Sequence, residues 1–231
     1  MAIVAQQASA GGGTRFLRPL VLALAETYAD LDITLFVNAQ SAEVFGAGSG
    51  FTNRQVRVVP IDPLVSAHPA SELAGQPTVT RQRTLFQATG LRDRRPPMLR
   101  AVSDLARRVS RFDVVYLVWP FFLHPMEIDA PLVGTFHDFN FKHDFGTLGQ
   151  EFIDLLEVQT GFWLERCEVA IVSAQFIAEE ITRFYPEAAA RVRVVRLLPL
   201  LAGDAERGEG AAVAERHGIV GPYVKIGRAH V

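Results

Sequence analysis

The chain has 231 residues, a formal net charge of −2 and a hydrophobic fraction of 49%, values that are typical of a globular protein and exclude intrinsic disorder. The slightly negative charge also argues against nucleic acid as a partner. Cys167 is the single cysteine, which excludes a disulfide framework and a cysteine-based zinc site and favours the reducing cytoplasm. The longest apolar run, residues 114–123, is interrupted by Pro120 and is shorter than the roughly 20 residues that span a bilayer.

The start of the chain predicts a strand, a glycine loop and a helix. Residues 1–6 lack the basic start and long apolar stretch of a signal peptide and predict a short buried strand. Apolar residues then recur at helical spacing up to Tyr28 and predict a helix that begins near Thr14. A glycine loop before a helix lets backbone N–H groups approach a phosphate, although a plain tight turn is the alternative. The candidate residues for this phosphate are Gly12, Gly13 and Thr14.

The next residues argue against a dinucleotide cofactor. The spaced pattern G-x-G-x-x-G is missing, and the second predicted strand, residues 33–37, ends in Asn38 where an acidic residue would bind a ribose. We therefore interpret Asn38 as a turn residue. A third strand is predicted over residues 55–60 and is expected to end at Pro60.

An irregular, proline-punctuated segment follows from residue 61 to residue 97. Its second half overlaps an arginine-rich stretch, residues 81–111. We expect this stretch at the rim of an acceptor cleft or on one exposed face. Such a stretch can bind phosphate groups or anionic lipid headgroups, and a solvated loop is the alternative. Helical periodicity resumes over residues 98–110.

Polar residues follow two predicted buried strands, residues 112–119 and 132–136. His124 comes after the first strand, and His137 and Asp138 come directly after the second. If the strands are parallel, these side chains meet at the carboxyl edge of the sheet, where ligands bind in open α/β folds. Taken alone, a single histidine beside prolines, such as His124, is more often a packing or capping residue.

The loop after residue 136 carries a second such pair, His143 and Asp144. Phenylalanines interleave with both pairs, so the loop is too apolar for a solvated connector. A metal-dependent hydrolase with the two pairs as ligands is one alternative function, although no further cluster completes a metal site in the sequence. The interleaved phenylalanines are Phe136, Phe139, Phe141 and Phe145.

The remaining pattern continues to alternate between helices and strands. A helix is predicted over residues 147–166, with Phe152 on its packed side, a strand over 169–172, and a helix over 174–184 with Ser173 as its N-cap. A strand over residues 191–199, a polar linker, and a short helix ended by Gly218 complete the pattern. This alternation predicts an α/β fold with a doubly wound, mostly parallel sheet, followed by the beginning of a second domain.

The last seven residues look foreign to the protein. Residues 226–231, Ile-Gly-Arg-Ala-His-Val, match the translation of a widely used short-read sequencing adapter whose preceding bases close the codon of Lys225. We therefore expect residues 225–231 to be an artefact and exclude them from fold reasoning.

The order of these features resembles the N-terminal domain of a GT-B fold glycosyltransferase, in the large family of retaining nucleotide-sugar enzymes that includes the glycosyltransferase subfamily 4-like (group 1) domains. The matching features are the glycine loop after the first strand, the His-Asp pair that ends a strand, a strand-to-helix junction and the passage into a second domain. They lie at Gly11–Gly13, His137-Asp138, Val172–Glu180 and Gly218–Val224.

This resemblance implies a division of the chain and a set of roles. Residues 1–200 would form the acceptor-side Rossmann-like domain, residues 201–224 the linker and start of a truncated donor domain. The implied enzyme transfers a sugar from a nucleotide sugar to a glycan, lipid or small-molecule acceptor, with no metal and no cofactor besides the donor substrate. Without the second domain the chain would be inactive. The implied site is Gly12, Gly13 and Thr14 at the donor diphosphate, His137 and Asp138 in catalysis, and His124, His143 and Ser173 at the acceptor or sugar.

The resemblance also implies a location and leaves two further alternatives open. The expected compartment is the cytoplasm, with peripheral contact to the inner face of the membrane through the arginine-rich stretch. A nucleotide- or sugar-binding module without catalysis and a GT-B-type sugar epimerase would share the same architecture. The sequence does not indicate the donor sugar, the stereochemical outcome or the oligomeric state.

Overall fold

The computed structural model describes residues 1–6, 12–45, 55–61, 97–143 and 148–196, together with Arg216 and Gly218. The chain divides into two compact units, Met1–Arg196 and Leu197–Val231. Several features singled out in the sequence lie outside the described residues. They are Gly11, Asp144, Phe145, the arginine-rich stretch before residue 97, residues 197–199 of the last predicted strand, the polar linker, most of the short helix before Gly218, and residues 225–231.

The first unit is built on one sheet whose seven described strands are all parallel, in the order β3-β2-β1-β4-β5-β6-β7. This confirms the predicted α/β class and the doubly wound parallel sheet. The strands read as nearly continuous apolar runs because helices cover both faces of the sheet. The strands are β1 (Ala2–Ala5), β2 (Ile33–Asn38), β3 (Val56–Ile61), β4 (Val115–Leu117), β5 (Leu132–Thr135), β6 (Val169–Val172) and β7 (Val192–Val194).

The described α-helices connect these strands, and three short 3₁₀ helices lie in the loops. None of the helices in the described part of the chain is long and apolar enough to cross a membrane. The helices are α1 (Gly12–Thr27), α2 (Ala39–Phe45), α3 (Pro97–Val109), α4 (Gln150–Arg166) and α5 (Gln175–Phe184), and the 3₁₀ helices are Pro120–Phe122, Asn140–His143 and Pro186–Arg191.

Two hydrophobic clusters lie on the two faces of the sheet. Successive residues of β1 alternate between them: Ile3 packs in the cluster that contains Leu17 of α1, and Val4 packs in the cluster that contains Val102 of α3. This alternation is the period of two that a strand imposes. The helices α1 and α2 therefore cover one face, while α3, α4 and α5 cover the other.

Gly134 of β5 lies where the sheet admits no side chain. A Cβ at this position would come within 2.8 Å of Cys167 Sγ and 3.1 Å of Phe136 Cε2. The missing side chain lets both residues pack directly against the strand. Cys167 is fully buried, and this burial raises the pKa of its thiol to about 12.

The ends of α1 differ from the prediction. The helix begins at Gly12 instead of near Thr14, so Gly12 and Gly13 belong to its first turn. The predicted apolar stripe does not reach Tyr28, which lies beyond the helix with 58% of its surface exposed. Its last buried member is Ala25.

The predicted strand boundaries are wrong at three places. Among the described residues, the strand predicted over residues 191–199 covers only Val192–Val194. Pro60 does not end β3 but pairs with Val37 inside it. A proline is tolerated there because β3 is an edge strand, on which part of the backbone N–H groups face away from the sheet. β4 is limited to three residues, although the apolar run predicts eight, because the 3₁₀ helix at Pro120 follows closely.

The helices α4 and α5 bring two further corrections. Phe152, predicted on the packed side of α4, is 41% exposed, whereas Leu156 and Trp163 are buried as predicted. Ser173 is not an N-cap: α5 begins one residue later than predicted, its N-cap is Ala174, and no side chain caps it. In the second unit, Gly218 has a φ of +62°, the conformation expected of a glycine that ends a helix.

Candidate functional site

The order of the strands creates a crevice at the carboxyl end of β1. The chain runs from β1 outward to β2 and β3, and then returns to place β4 on the other side of β1. At such a point the connections leave the sheet in opposite directions, and ligands bind in the gap between them. The residues that follow the strand ends here are Gln6 after β1, Trp119 after β4, His137 after β5 and Ser173 after β6.

The imidazole of His137 lies against two aromatic side chains from other elements. Its centroid is 5.4 Å from that of Phe16 in the first turns of α1, with the two ring planes perpendicular. It is 5.8 Å from the ring of Trp119, at an interplanar angle of 30°. Phe16 and Trp119 also contact each other edge to face at 6.4 Å. The three half-buried rings form one cluster, which we call the aromatic clamp.

The surroundings of His137 affect the pKa of its imidazole. Burial lowers the pKa of the imidazole below its ordinary value of 6.5, against the smaller opposing effects of a hydrogen bond with the backbone of Val118 and the charge of Asp138. Its Nε2 atom is buried and has no hydrogen-bond partner among the described residues. His137 is therefore a neutral group at pH 7 that retains one hydrogen-bonding position for a ligand.

The first turn of α1 lies beside this histidine. Gly12, Gly13 and Thr14 belong to that turn, and Phe16, which contacts His137, lies two residues after Thr14. The first backbone N–H groups of a helix have no partner within it and carry the positive end of the helix dipole. The turn contains no acidic residue. The structure thus brings the predicted phosphate-binding turn and His137 together.

Asp138 is exposed and acts on its own loop. Its Oδ1 accepts a hydrogen bond from the backbone N–H of Asn140 at 3.2 Å, so the carboxylate caps the 3₁₀ helix Asn140–His143. The same charge raises the pKa of His137, as the smallest of the three effects on that residue. The structure therefore places Asp138 next to His137 in the chain and ties its side chain to the turn that follows.

His143 makes its contacts elsewhere. Its Nε2 pairs with the carboxylate of Glu180 on α5, and its ring lies 5.8 Å from that of Phe184 on the same helix. Its side chain is 44% exposed. In the part of the chain that the structure describes, no group of three or more His, Cys, Asp or Glu side chains is placed to hold a metal ion.

The other two predicted sugar-site residues differ in exposure. His124 is only 4% exposed, and the carbonyl of its neighbour Leu123 accepts a hydrogen bond from Trp163 Nε1 at 2.8 Å. Ser173 is half-buried after β6, the strand beside β5. Ser173 therefore lies at the same sheet edge as His137, whereas His124 is enclosed in the core.

A network around Gln6 fixes the strand ends on the other side of the crevice. Gln6 is 5% exposed, and its side-chain Nε2 donates a hydrogen bond to the backbone carbonyl of Phe122 at 2.6 Å. The backbone carbonyl of Gln6 accepts a hydrogen bond from Asn38 Nδ2 at 2.6 Å. Asn38 Oδ1 in turn accepts from the backbone N–H of Ser41 at 2.7 Å. Asn38 is thus a turn residue, as predicted. The network ties the ends of β1 and β2 to the loop after β4.

Sequence reasoning missed three residues of this site: Phe16, Trp119 and Gln6. Phe16 belongs to the predicted apolar stripe, and its position two residues after Thr14 was the signal that it borders the glycine turn. Gln6 follows β1 directly, while Trp119 and His137 each lie two residues after the end of β4 and of β5. The same rule on strand ends applies to all three strands.

Three residues of the arginine-rich stretch are described with their side chains. Arg107, Arg108 and Arg111 are exposed. Arg107 pairs with Asp104 on α3, and the guanidinium of Arg108 lies 5.1 Å from the centre of the Phe36 ring. The end of α3 thus carries a small basic surface.

Comparison with known proteins adds a family. The model of Glycosyltransferase Family 4 matches residues 10–197. Among solved structures, the chain is similar to the crystal structure of Arabidopsis thaliana UGT89C1 complexed with UDP-L-rhamnose, with 13% identity and a TM-score of 0.47. The match covers 88% of this chain and 52% of that one, so the chain spans about half the length of the structure it matches. No curated protein matches. Since the family model covers most of the sequence, the chain belongs to Glycosyltransferase Family 4.

Proposed function

We propose that the first unit is the acceptor-side domain of a hexosyltransferase that moves a sugar from a nucleotide-sugar donor to a glycan, lipid or small-molecule acceptor. One observation carries this proposal: His137, neutral and with Nε2 unpartnered among the described residues, lies at the carboxyl edge of the sheet against Phe16 of α1, the helix whose first turn contains Gly12, Gly13 and Thr14. Membership of the family is the second support.

The chemistry of sugar transfer fits these groups. The bond between the anomeric carbon and the diphosphate oxygen breaks, the acceptor oxygen bonds to that carbon, and the acceptor loses its proton. Negative charge grows on the leaving diphosphate, where the backbone N–H groups of Gly12, Gly13 and Thr14 can stabilise it. His137 forms a hydrogen bond with a hydroxyl of the transferred sugar, and it does so without burying a charge.

We propose that this unit alone binds the donor weakly and does not catalyse transfer. A few N–H bonds contribute about 0.5–1.5 kcal/mol each against water. Immobilising a ligand costs about 4 kcal/mol or more. The balance corresponds to a millimolar dissociation constant or a weaker one. The base, the ribose and most of the diphosphate would be held by groups outside the unit.

Nuclear magnetic resonance titration of the ¹⁵N-labelled chain with UDP-, GDP- and ADP-sugars tests this function. We expect millimolar additions of at least one donor to shift the amide signals of Gly12 and Gly13 and the imidazole signal of His137. The matching nucleosides without phosphate serve as the ligand control and should leave the glycine signals in place.

Two results would contradict the proposal in different ways. If no donor moves any of these signals, the first unit is not part of a donor site. If a donor binds with micromolar affinity, the chain holds a complete site and the proposed division of labour is wrong. The variant His137→Gln should lose the sugar-dependent part of the response, whereas His143→Gln should retain it.

We also propose peripheral contact with anionic membranes through the arginine-rich stretch. The exposed Arg107, Arg108 and Arg111 at the end of α3 support it, because each basic residue near an anionic surface adds about 1 kcal/mol. Co-sedimentation with anionic and with neutral vesicles at low salt, where the attraction is strongest, tests this contact. Equal binding to both vesicles would contradict it.

A further inference from the structure

The contacts of His137 come from two other parts of the fold, α1 and the segment after β4. Phe16 belongs to α1, Trp119 follows β4, and the backbone of Val118 hydrogen-bonds the imidazole. His137 itself follows β5. Because the sheet fixes β4 and β5 side by side, the ring of Phe16 is the contact that joins the sheet edge to the helix.

We infer that Phe16 and Trp119 are positioning residues, whose rings hold the imidazole of His137 in one orientation at the crevice and couple it to the first turn of α1. This inference rests on the proposed role of His137 as the sugar-binding group. It goes further by assigning the orientation of that group to two aromatic side chains that do not themselves bind the diphosphate.

The geometry supports holding rather than simple packing. Phe16 meets His137 edge to face at 90°, and Trp119 lies nearly parallel to it at 30°. Two neighbouring rings that contact the imidazole at different angles restrict its rotation about its side-chain bonds more than one stacked ring does. A ring held so needs no reordering when a sugar binds, which lowers the entropic cost of that bond.

The charged groups near the clamp are few in the described part of the chain. Asp138 is the described charged group with a resolved effect on His137. Arg18, two residues further along α1 than Phe16, is exposed. The ionisation of His137 therefore reports how deeply the imidazole is buried, and Phe16 and Trp119 contribute to that burial.

The inference is tested by measuring the imidazole pKa of His137 by nuclear magnetic resonance in the 231-residue chain and in three variants. Phe16→Leu and Trp119→Leu remove one ring each, and Trp119→Phe keeps a ring. Because burial lowers this pKa, we expect both leucine variants to raise it toward 6.5 and Trp119→Phe to leave it near the wild-type value. Phe152→Leu, a change of an exposed phenylalanine on α4, is the matched control and should leave it unchanged.

Two further readouts separate positioning from packing. In the unmutated chain, ring protons of His137 should show nuclear Overhauser contacts to Phe16 and to Trp119, a measurement that does not depend on whether a variant folds. On addition of a nucleotide sugar, Trp119→Leu should weaken the response of the His137 signal while the Gly12 and Gly13 amides respond as in the wild type.

The outcomes are distinct from those of the proposed function. An unchanged His137 pKa in both leucine variants, or missing ring contacts in the wild type, would overturn the inference. Ring contacts and pKa shifts without any response to nucleotide sugars would leave the clamp in place and reject the proposed donor site.

Discussion

The two histidines of the His-Asp pairs after β5 have different surroundings. His137 is half-buried between rings of α1 and of the loop after β4, and burial lowers its pKa. His143, six residues later, is 44% exposed and pairs with Glu180 on α5. Position relative to the strand end, and not the His-Asp dipeptide itself, therefore decides which histidine can contact a ligand.

The connecting residues explain how so short a loop produces both environments. Phe139 and Phe141, which lie between the two histidines, are buried, and so is Phe136 directly before His137. These side chains fix the backbone of the loop. Lys142 adds a further contact: its Nζ pairs with Glu157 of α4 and lies 5.3 Å from the ring of Phe184. The end of the loop is thereby attached to α4 and α5, while His137 near its start contacts Phe16 of α1.

The largest effect is expected from His137→Ala in a protein that joins this unit to a donor-binding domain. Loss of one positioned polar contact in a transition state lowers turnover about 10²- to 10³-fold. Stability should fall by only about 1 kcal/mol, the value of the lost ring contacts. Sugar transfer and urea unfolding measure the two quantities. His143→Ala is the control, and equal losses of turnover in both variants would remove the distinction between the histidines.

A smaller effect is expected from Gly134→Ala, which disturbs the strand beneath His137. The new methyl group would meet Cys167 Sγ at 2.8 Å and Phe136 Cε2 at 3.1 Å, and such overpacking costs about 1–3 kcal/mol of unfolding free energy. Gly149→Ala is the matched control, because a Cβ there meets nothing within 4 Å.

A double-mutant cycle with Cys167→Ala identifies the cause. Removal of the sulfur should recover part of the loss at Gly134, so the two changes should not be additive. Additive losses in urea unfolding would show that the methyl group does not clash with Cys167.

The next effect concerns the far end of the loop. Lys142→Met keeps the aliphatic packing but removes the charge over Phe184 and the pair with Glu157, and we expect a loss of about 1 kcal/mol. The Lys142 side chain is only 14% exposed, whereas that of Arg107 in its pair with Asp104 is 48% exposed. Arg107→Met, the control, should therefore change stability less. A shift of the His137 imidazole signal in Lys142→Met would show that the two ends of the loop are not independent.

The sequence predicts most of this fold because its strands are apolar and parallel. Apolar runs separated by helical periodicity predict β1, β2, β4, β5 and β6 in their order along the chain. His137 could be placed from the strand that ends just before it. Helix N-termini were predicted less well. Ser173 is a residue type that commonly caps helices, but the N-cap of α5 is Ala174. The clamp could not be predicted, because the contact of Phe16 with Trp119 joins residues more than a hundred positions apart.

The smallest effect is expected from pH. In the unfolded chain His137 has its ordinary pKa of 6.5, and in the folded chain burial lowers it. As pH falls below 6.5, the unfolded chain therefore binds a proton that the folded chain does not, so folding stability decreases. The contribution of neutral His137 is present in full above pH 6.5 and is lost progressively through the window between 6.5 and the lower folded value.

The change in melting temperature between pH 7.5 and pH 5.5 measures this contribution when wild type and His137→Gln are compared. Other groups also titrate over this range, but their effects are common to both proteins and cancel in the difference. On acidification, we expect His137→Gln to lose less stability than the wild type. The difference between the two proteins should be smaller than the stability lost in Lys142→Met, because His137 is only half-buried. Identical pH profiles for wild type and His137→Gln would show that burial does not keep the imidazole of His137 neutral.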